Sequence, residues 1–247
     1  MDSFYNKLQS HIFNTHHVAG ISKILITSCL LYVTRLPFEN YIGSFLTSKL
    51  RINDEKKSRP KQVVALEQMY HFKTRSPDQE QVEEVAKKTD MSASQVQLWF
   101  NKRRNWDRPT KGQKFRETLW RFTVYFILFA FSIKTFKNAP WTGNPKLCWV
   151  GYPDNQERLS FVDAYYIIEG GFYLSLIFSL STDTKRKDFK EQTLHHVITV
   201  FLIVTSYWLD CTRIGSLIMA LHDLTDFLLE FAKICKYAGH NKTAVRI

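Results

Sequence analysis

Leu194-His195-His196-Val197-Ile198-Thr199-Val200-Phe201-Leu202-Ile203-Val204-Thr205-Ser206-Tyr207-Trp208-Leu209-Asp210 is an apolar run broken by polar residues at helical spacing. His195, Thr199, Ser206 and Asp210 recur at steps of four, seven and four and share one helical face. His196 and Tyr207 lie eleven residues apart on an adjacent face. The next apolar stretch, Ile214–Ala232, carries His222, Asp226 and Glu230 one turn apart, with Asp223 beside them. The stretch before, Phe161–Ser181, adds Asp163, Tyr166, Glu169 and Tyr173. Ionisable groups in an apolar helix are costly and mark a functional site by default. Three helices that each bring a polar stripe into an apolar bundle satisfy them by facing one another around a common cavity. The expected fold is therefore all-α, a multi-span helical membrane protein.

Working outward, two further stretches are long enough to approach a span, about Val18–Leu36 and about Leu119–Ile133. Stretches of this kind also serve as core helices of soluble proteins, and the loops decide between the two readings. Positive residues gather on the cytoplasmic side of spans. They cluster at Lys49–Lys61, Arg108–Arg121, Lys185–Lys190 and Lys233–Arg246. All four clusters fall on one side only if all five spans are real. The amino terminus and residues 134–160 then lie on the other side, where Trp141, Trp149 and Tyr152 suit an interfacial belt. No small-residue cleavage site follows the first stretch, so it reads as an anchor.

Composition agrees once it is divided. Aromatics make up 15% of the 247 residues, net charge is +11 and mean hydropathy is −0.25. Residues 53–117 hold 25 of the 57 charged side chains, so a polar insert sits in an apolar chain. Disorder is excluded by the aromatics, and a disulfide scaffold by four scattered cysteines, at 29, 148, 211 and 235.

The insert reads as three short helices, starting with Arg59–Phe72. Ser76-Pro77-Asp78 opens the second, with Pro77 just inside the cap. Ser92 and Gln95 form a capping box for the third, which buries Val96, Trp99 and Phe100. Trp99-Phe100-Asn101-Lys102-Arg103-Arg104 resembles the third-helix signature of a homeodomain, which enters the DNA major groove. The family's adenine-reading Asn falls at Lys102 here, and lysine cannot make the bidentate amide contact. The basic amino-terminal arm is replaced by a membrane span. Lys102, Arg103 and Arg104 remain candidates for contacts to nucleic-acid or other phosphate groups. Sequence-specific DNA binding is not expected, and a cytosolic domain meeting lipid headgroups or protein is.

For the polar stripes, metal binding is the first alternative. Membrane di-iron enzymes use many more histidines, and an adjacent pair points its rings about 100° apart. No metal and no cofactor is expected. Acyl transfer suits the set better. A neutral imidazole can deprotonate an amine or attack a thioester, and a nearby Asp can orient it.

The same residues resemble the longevity-assurance signature of ceramide synthases, over about residues 183–233. It runs from Asp188-Phe189-Lys190-Glu191 through His195-His196, Ser206-Tyr207 and Arg213-Ile214-Gly215 to Met219-Ala220-Leu221-His222-Asp223-Leu224-Thr225-Asp226 and Leu229-Glu230. Upstream, Trp120-Arg121-Phe122, Trp149, Tyr152-Pro153 and Ile168-Glu169 agree. The resemblance implies a TLC-type bundle in the endoplasmic-reticulum membrane. It divides the chain into a first span (1–52), a homeodomain-like insert (53–110) and a partial TLC domain (111–247). It implies transfer of a fatty acyl group from acyl-CoA, as co-substrate, to the amine of a sphingoid base. It assigns catalysis to His195, His196, His222, Asp223 and Asp226, with His195 or His196 as acyl carrier or base. Glu169, Tyr173, Thr199, Ser206, Tyr207 and Arg213 are expected to bind substrate, and Lys185, Arg186 and Lys187 to meet CoA phosphates. Membrane lipids and a second ceramide synthase chain are the expected partners. Ceramide synthases continue with further spans beyond the point matching Ile247, so a carboxyl-terminal truncation is expected. A non-catalytic, lipid-sensing TLC protein is the alternative.

Overall fold

The structure, a computed structural model, describes residues 15–137, 139–152, 159–184 and 189–240. Among them every regular element is helical. The chain divides into two compact units: residues 1–52 with 115–247, and residues 53–114.

In the larger unit, α1 (Thr15–Pro37) ends where Pro37 withdraws a backbone donor, and the helix widens into a π turn over Phe38–Gly43 before α2 (Ser44–Lys49). The insert follows with α3 (Val64–Phe72), α4 (Gln79–Thr89) and α5 (Ala93–Asp107). The chain then runs through α6 (Lys111–Phe136), a short α7 (Pro140–Gly143), α8 (Ser160–Ser179), α9 (Phe189–Trp208) and α10 (Thr212–Tyr237).

The central element is α8. It is flanked by α1, α9 and α10, and by α6 through Tyr125 and Phe172, whose rings lie 5.1 Å apart. A helix buried on all sides must be apolar all round or pair its polar groups. Gly170 and Gly171 let α1 come close: a Cβ on Gly171 would sit 2.8 Å from the Thr27 side chain. Small residues at such crossings are the usual device for close helix packing in a bilayer. The core around α8 is unusually aromatic, with Trp120, Tyr125, Tyr165, Tyr166, Phe172, Tyr173 and Tyr207 all buried.

Three helical stretches, His17–Lys49, Ala93–Phe136 and Ser160–Ser179, are long and apolar enough to cross a membrane. Five spans were expected from the loops. The other two, α9 (20 residues) and α10 (26 residues), have the length, but they carry the polar stripes. The chain is thus an all-helical membrane protein whose polar stripes lie on α8, α9 and α10.

The insert closes its own core from Leu66, Met69, Tyr70, Val82, Val85, Val96, Trp99 and Phe100. Its first helix begins at Val64, five residues later than expected, because the Trp99 indole donates to the Lys61 carbonyl (2.7 Å) and holds that segment extended. The second is capped by Asp78 rather than Ser76. Asp78 and Gln81 exchange side-chain and backbone bonds, so Pro77 lies just outside the helix. The Ser92–Gln95 capping box is present as expected.

Candidate active site

Buried tyrosine hydroxyls need partners, and in α8 they find them on the helices that carry the stripes. Tyr165 donates to Asp223 Oδ2 (2.6 Å), Tyr173 to Asp226 Oδ2 (3.0 Å), and Tyr166 pairs with Ser206 Oγ (2.7 Å). These bonds fix the rotation of α9 and α10 about α8. Gly215 belongs to the same fit, because its missing side chain makes room for the Tyr166 hydroxyl.

The result is a compact cluster. His195 stacks on His222, with ring centroids 5.5 Å apart and planes 12° apart. His196 is buried on α9's inner side, 5.8 Å from the Tyr173 ring, and its Nδ1 has no hydrogen-bond partner among the described residues. Donor atoms of His195, His222 and Asp226 lie within 4.8 Å of one another. Such a group has the size to hold a metal ion, and it also sets one carboxylate close to two imidazoles, with that carboxylate accepting its hydrogen bond from Tyr173. The histidines that stack face to face are on different helices, whereas the rings of the adjacent pair are as close, at 5.6 Å, but tilted by 55°.

Two cavities border this cluster. One, of about 230 Å³, is lined by Glu169, Tyr173, Thr199, Ser206, Met219 and His222 among others. The other, of about 270 Å³, is lined by Arg121, Gln192, His195, His196, Asp226 and Lys233 among others. The first is nearly all apolar in its walls, and the second carries the cations.

The expected site residues therefore divide. His195, His196, His222, Asp226 and Tyr173 come together, and Glu169, Thr199 and Ser206 line the cavity beside them. Asp223 turns inward to Tyr165 instead of toward His222. Tyr207 packs into the aromatic core against Tyr166, with ring centroids 5.7 Å apart. Arg213 lies at the start of α10, over the Trp141 ring at 4.9 Å and 3.4 Å from the Val150 carbonyl. Its place secures the loop before α8. Lys185, Arg186 and Lys187 fall outside the described residues.

Arg121 was legible as one charge in a basic cluster and as part of the Trp120-Arg121-Phe122 piece of the resemblance, but not as a buried residue. It is 5% exposed, with Glu230 at 3.4 Å and Asp183 at 3.9 Å. Asp183 also takes Arg35 at 2.5 Å, and Glu230 takes Lys233 at 2.7 Å. This network ties α1, α6, α10 and the turn after α8 together at one end of the bundle.

The insert corrects the basic trio. Lys102 is exposed. Arg103 is 5% exposed, pairs with Glu67 and Asp107, and lies over the Tyr70 and Trp106 rings. It continues the Val96–Trp99–Phe100 stripe by one turn and is a core residue, not a phosphate contact. Arg104 is spent on the Arg75 carbonyl (2.7 Å), Ser76 (2.9 Å) and Asn101. Burial pushes the Tyr70 hydroxyl up, and its bond to Asp107 adds to that. Burial also works to raise Asp107, but the bonds from Tyr70 and Arg103 outweigh it and hold the carboxyl below its ordinary range.

Comparison with known proteins matches residues 56–108 to the homeodomain family. Residues 114–247, more than half the chain, match the TLC domain. The chain belongs to the TLC-domain family. Every residue of the histidine–aspartate cluster lies in the TLC-domain match. The chain is 39% identical to human ceramide synthase 5 over 86% of its own length and 54% of that protein's. It is 37% identical to human ceramide synthase 4, over 92% and 57%, and 36% identical to mouse ceramide synthase 4, over 90% and 56%. The chain spans about half the length of the curated relatives it matches.

Proposed function

We propose that this chain carries the acyl-transfer centre of a ceramide synthase. A fatty acyl group passes from acyl-CoA to the amine of a sphingoid base, such as sphinganine, giving an N-acyl product and free CoA. The reading is supported above all by the His195–His222–Asp226 cluster with His196 beside it, set between an apolar cavity and one that carries Arg121 and Lys233. The relatives' names point the same way.

His195 is the favoured group to take the acyl chain as an acyl-imidazole or to act as base for the amine, with His196 as the alternative. In either case the C–S bond breaks, the thiol of CoA leaves, and the amine nitrogen loses a proton as it bonds to the acyl carbon; on the acyl-imidazole route that carbon's bond to the imidazole nitrogen then breaks and frees the histidine. Asp226 holds the imidazole pair in orientation. No cofactor takes part. The proposal includes the endoplasmic-reticulum membrane, an insert on the cytosolic side, and CoA phosphates meeting Lys185, Arg186 and Lys187. It also includes pairing with a second ceramide synthase chain.

The purified chain in detergent, given labelled sphinganine and a fatty acyl-CoA, is expected to yield labelled N-acyl product and free CoA in equal amounts. Free fatty acid in place of acyl-CoA is expected to yield none. Absence of amide with acyl-CoA would contradict the proposal.

A further inference from the structure

Glu169 sits halfway along α8 and is fully buried. Neither of its carboxyl oxygens has a hydrogen-bond partner of good geometry among the described residues. Asp223 Oδ1 is in the same position, its Oδ2 being taken by Tyr165. The two carboxyls adjoin each other and the Tyr165 hydroxyl, which is committed to Asp223 Oδ2. A carboxylate away from water needs a proton, a cation or several donors, and burying one without them is strongly unfavourable. Glu169 forms part of the wall of the 230 Å³ cavity, and no Lys or Arg is among the residues that line it.

The rest of that wall says which cation fits. Leu202, Ile203, Ile218 and Met219 are apolar, and Thr199 and Ser206 offer hydroxyls. A hard metal ion takes six or more oxygen ligands, which these walls do not supply. An anion would face Glu169 with no compensating charge. An alkyl ammonium satisfies both halves, its chain along the apolar wall and its charge against the carboxylate.

We infer that Glu169 is the receptor for the protonated amine of a long-chain base and the acceptor of its first proton. The inference rests on the acyl-transfer reading above and names where its second substrate binds. The ammonium gives one proton to the Glu169 carboxylate and becomes a nucleophilic amine. Its nitrogen bonds to the acyl carbon supplied by acyl-CoA, and the bond from that carbon to sulfur, or to the imidazole, breaks. The second proton passes through a neutral imidazole to the departing thiolate or stays on the released imidazole. Glu169 returns its proton to water when the amide leaves. His222 lines the same cavity, so the amine bound there is beside the imidazole cluster.

The test is binding to the detergent-solubilised chain without any acyl donor, so it stands whether or not acyl transfer is observed. The probes are sphinganine and the same molecule with a hydroxyl in place of the amine. Wild type is expected to prefer the amine by about tenfold or more, the scale of one charge-assisted hydrogen bond. Glu169→Gln is expected to bind both alike, and Glu169→Asp to keep part of the preference. A preference that survives in Glu169→Gln would overturn the inference. Should that variant fail to fold, the wild type decides alone, since equal binding of the two probes would overturn it as well.

Discussion

Tyr173 donates its hydroxyl to Asp226 across the α8–α10 boundary at 3.0 Å while its ring lies 5.8 Å from that of His196. One residue of the central helix thus holds both the carboxylate nearest the imidazole pair and the wall against which the inner histidine rests.

Asp226→Asn keeps a partner for Tyr173 and removes the charge beside His195 and His222. We expect turnover to fall by about a hundredfold or more, the usual scale of a lost acid–base group, with little change in melting temperature. Steady-state rates beside a thermal melt check it. Unchanged turnover would detach Asp226 from the chemistry.

Chelation separates acyl transfer from metal chemistry, because His195, His222 and Asp226 are close enough to hold an ion. Activity is expected to be unchanged after dialysis against EDTA. Added zinc is expected to inhibit by occupying the same imidazoles. Activity lost on chelation and restored by zinc would replace the acyl-imidazole with a metal centre.

Tyr165→Phe removes the donor to Asp223 and leaves that buried carboxyl without its partner. The expected cost is about 1–3 kcal/mol, read as a lower unfolding midpoint in detergent. A midpoint equal to wild type would mean that the pair contributes nothing to holding α10 against α8.

These two aspartates show what could be read from the sequence. The spacing of His222, Asp226 and Glu230 put them on one stripe, but only Asp226 meets α8: His222 is exposed and stacks on His195, and Glu230 turns to Arg121 on α6. Which of two nearby aspartates turns toward the histidines depends on where Tyr165 and Tyr173 stand on another helix. That pairing has no local signal. Arg103 is a different case. Its position one turn beyond Phe100 marked it as inward-facing, but its charge suggested the surface. Asp107 is a local partner one turn along the same helix, but Glu67, which completes the pairing that makes its burial tolerable, lies on α3 and is brought there only by the folded insert. The Ser92–Gln95 box was legible because both partners are three residues apart. Arg121 was not, because Glu230 and Asp183 reach it from distant parts of the chain.

The insert's acid sensitivity follows from Asp107. Its carboxyl titrates below the ordinary 3.8 in the folded insert. The unfolded chain therefore binds the proton first as pH falls. The contribution is fully present above the unfolded value and is lost as pH falls through the folded one. Residues 53–114, which have their own core and caps, are expected to lose stability below about pH 4. Asp107→Asn is expected to be less stable at pH 7 and to show a flatter acid limb by circular dichroism. An acid limb identical to wild type would exclude Asp107 as its source.

The central claim is that the α9 histidines carry the acyl transfer. It is tested most directly by the rate of N-acyl sphinganine formation from acyl-CoA in wild type, His195→Ala and His196→Ala, each confirmed as folded. The account predicts loss of about a hundredfold or more in His195→Ala and a marked loss in His196→Ala. Full activity in both variants would contradict it.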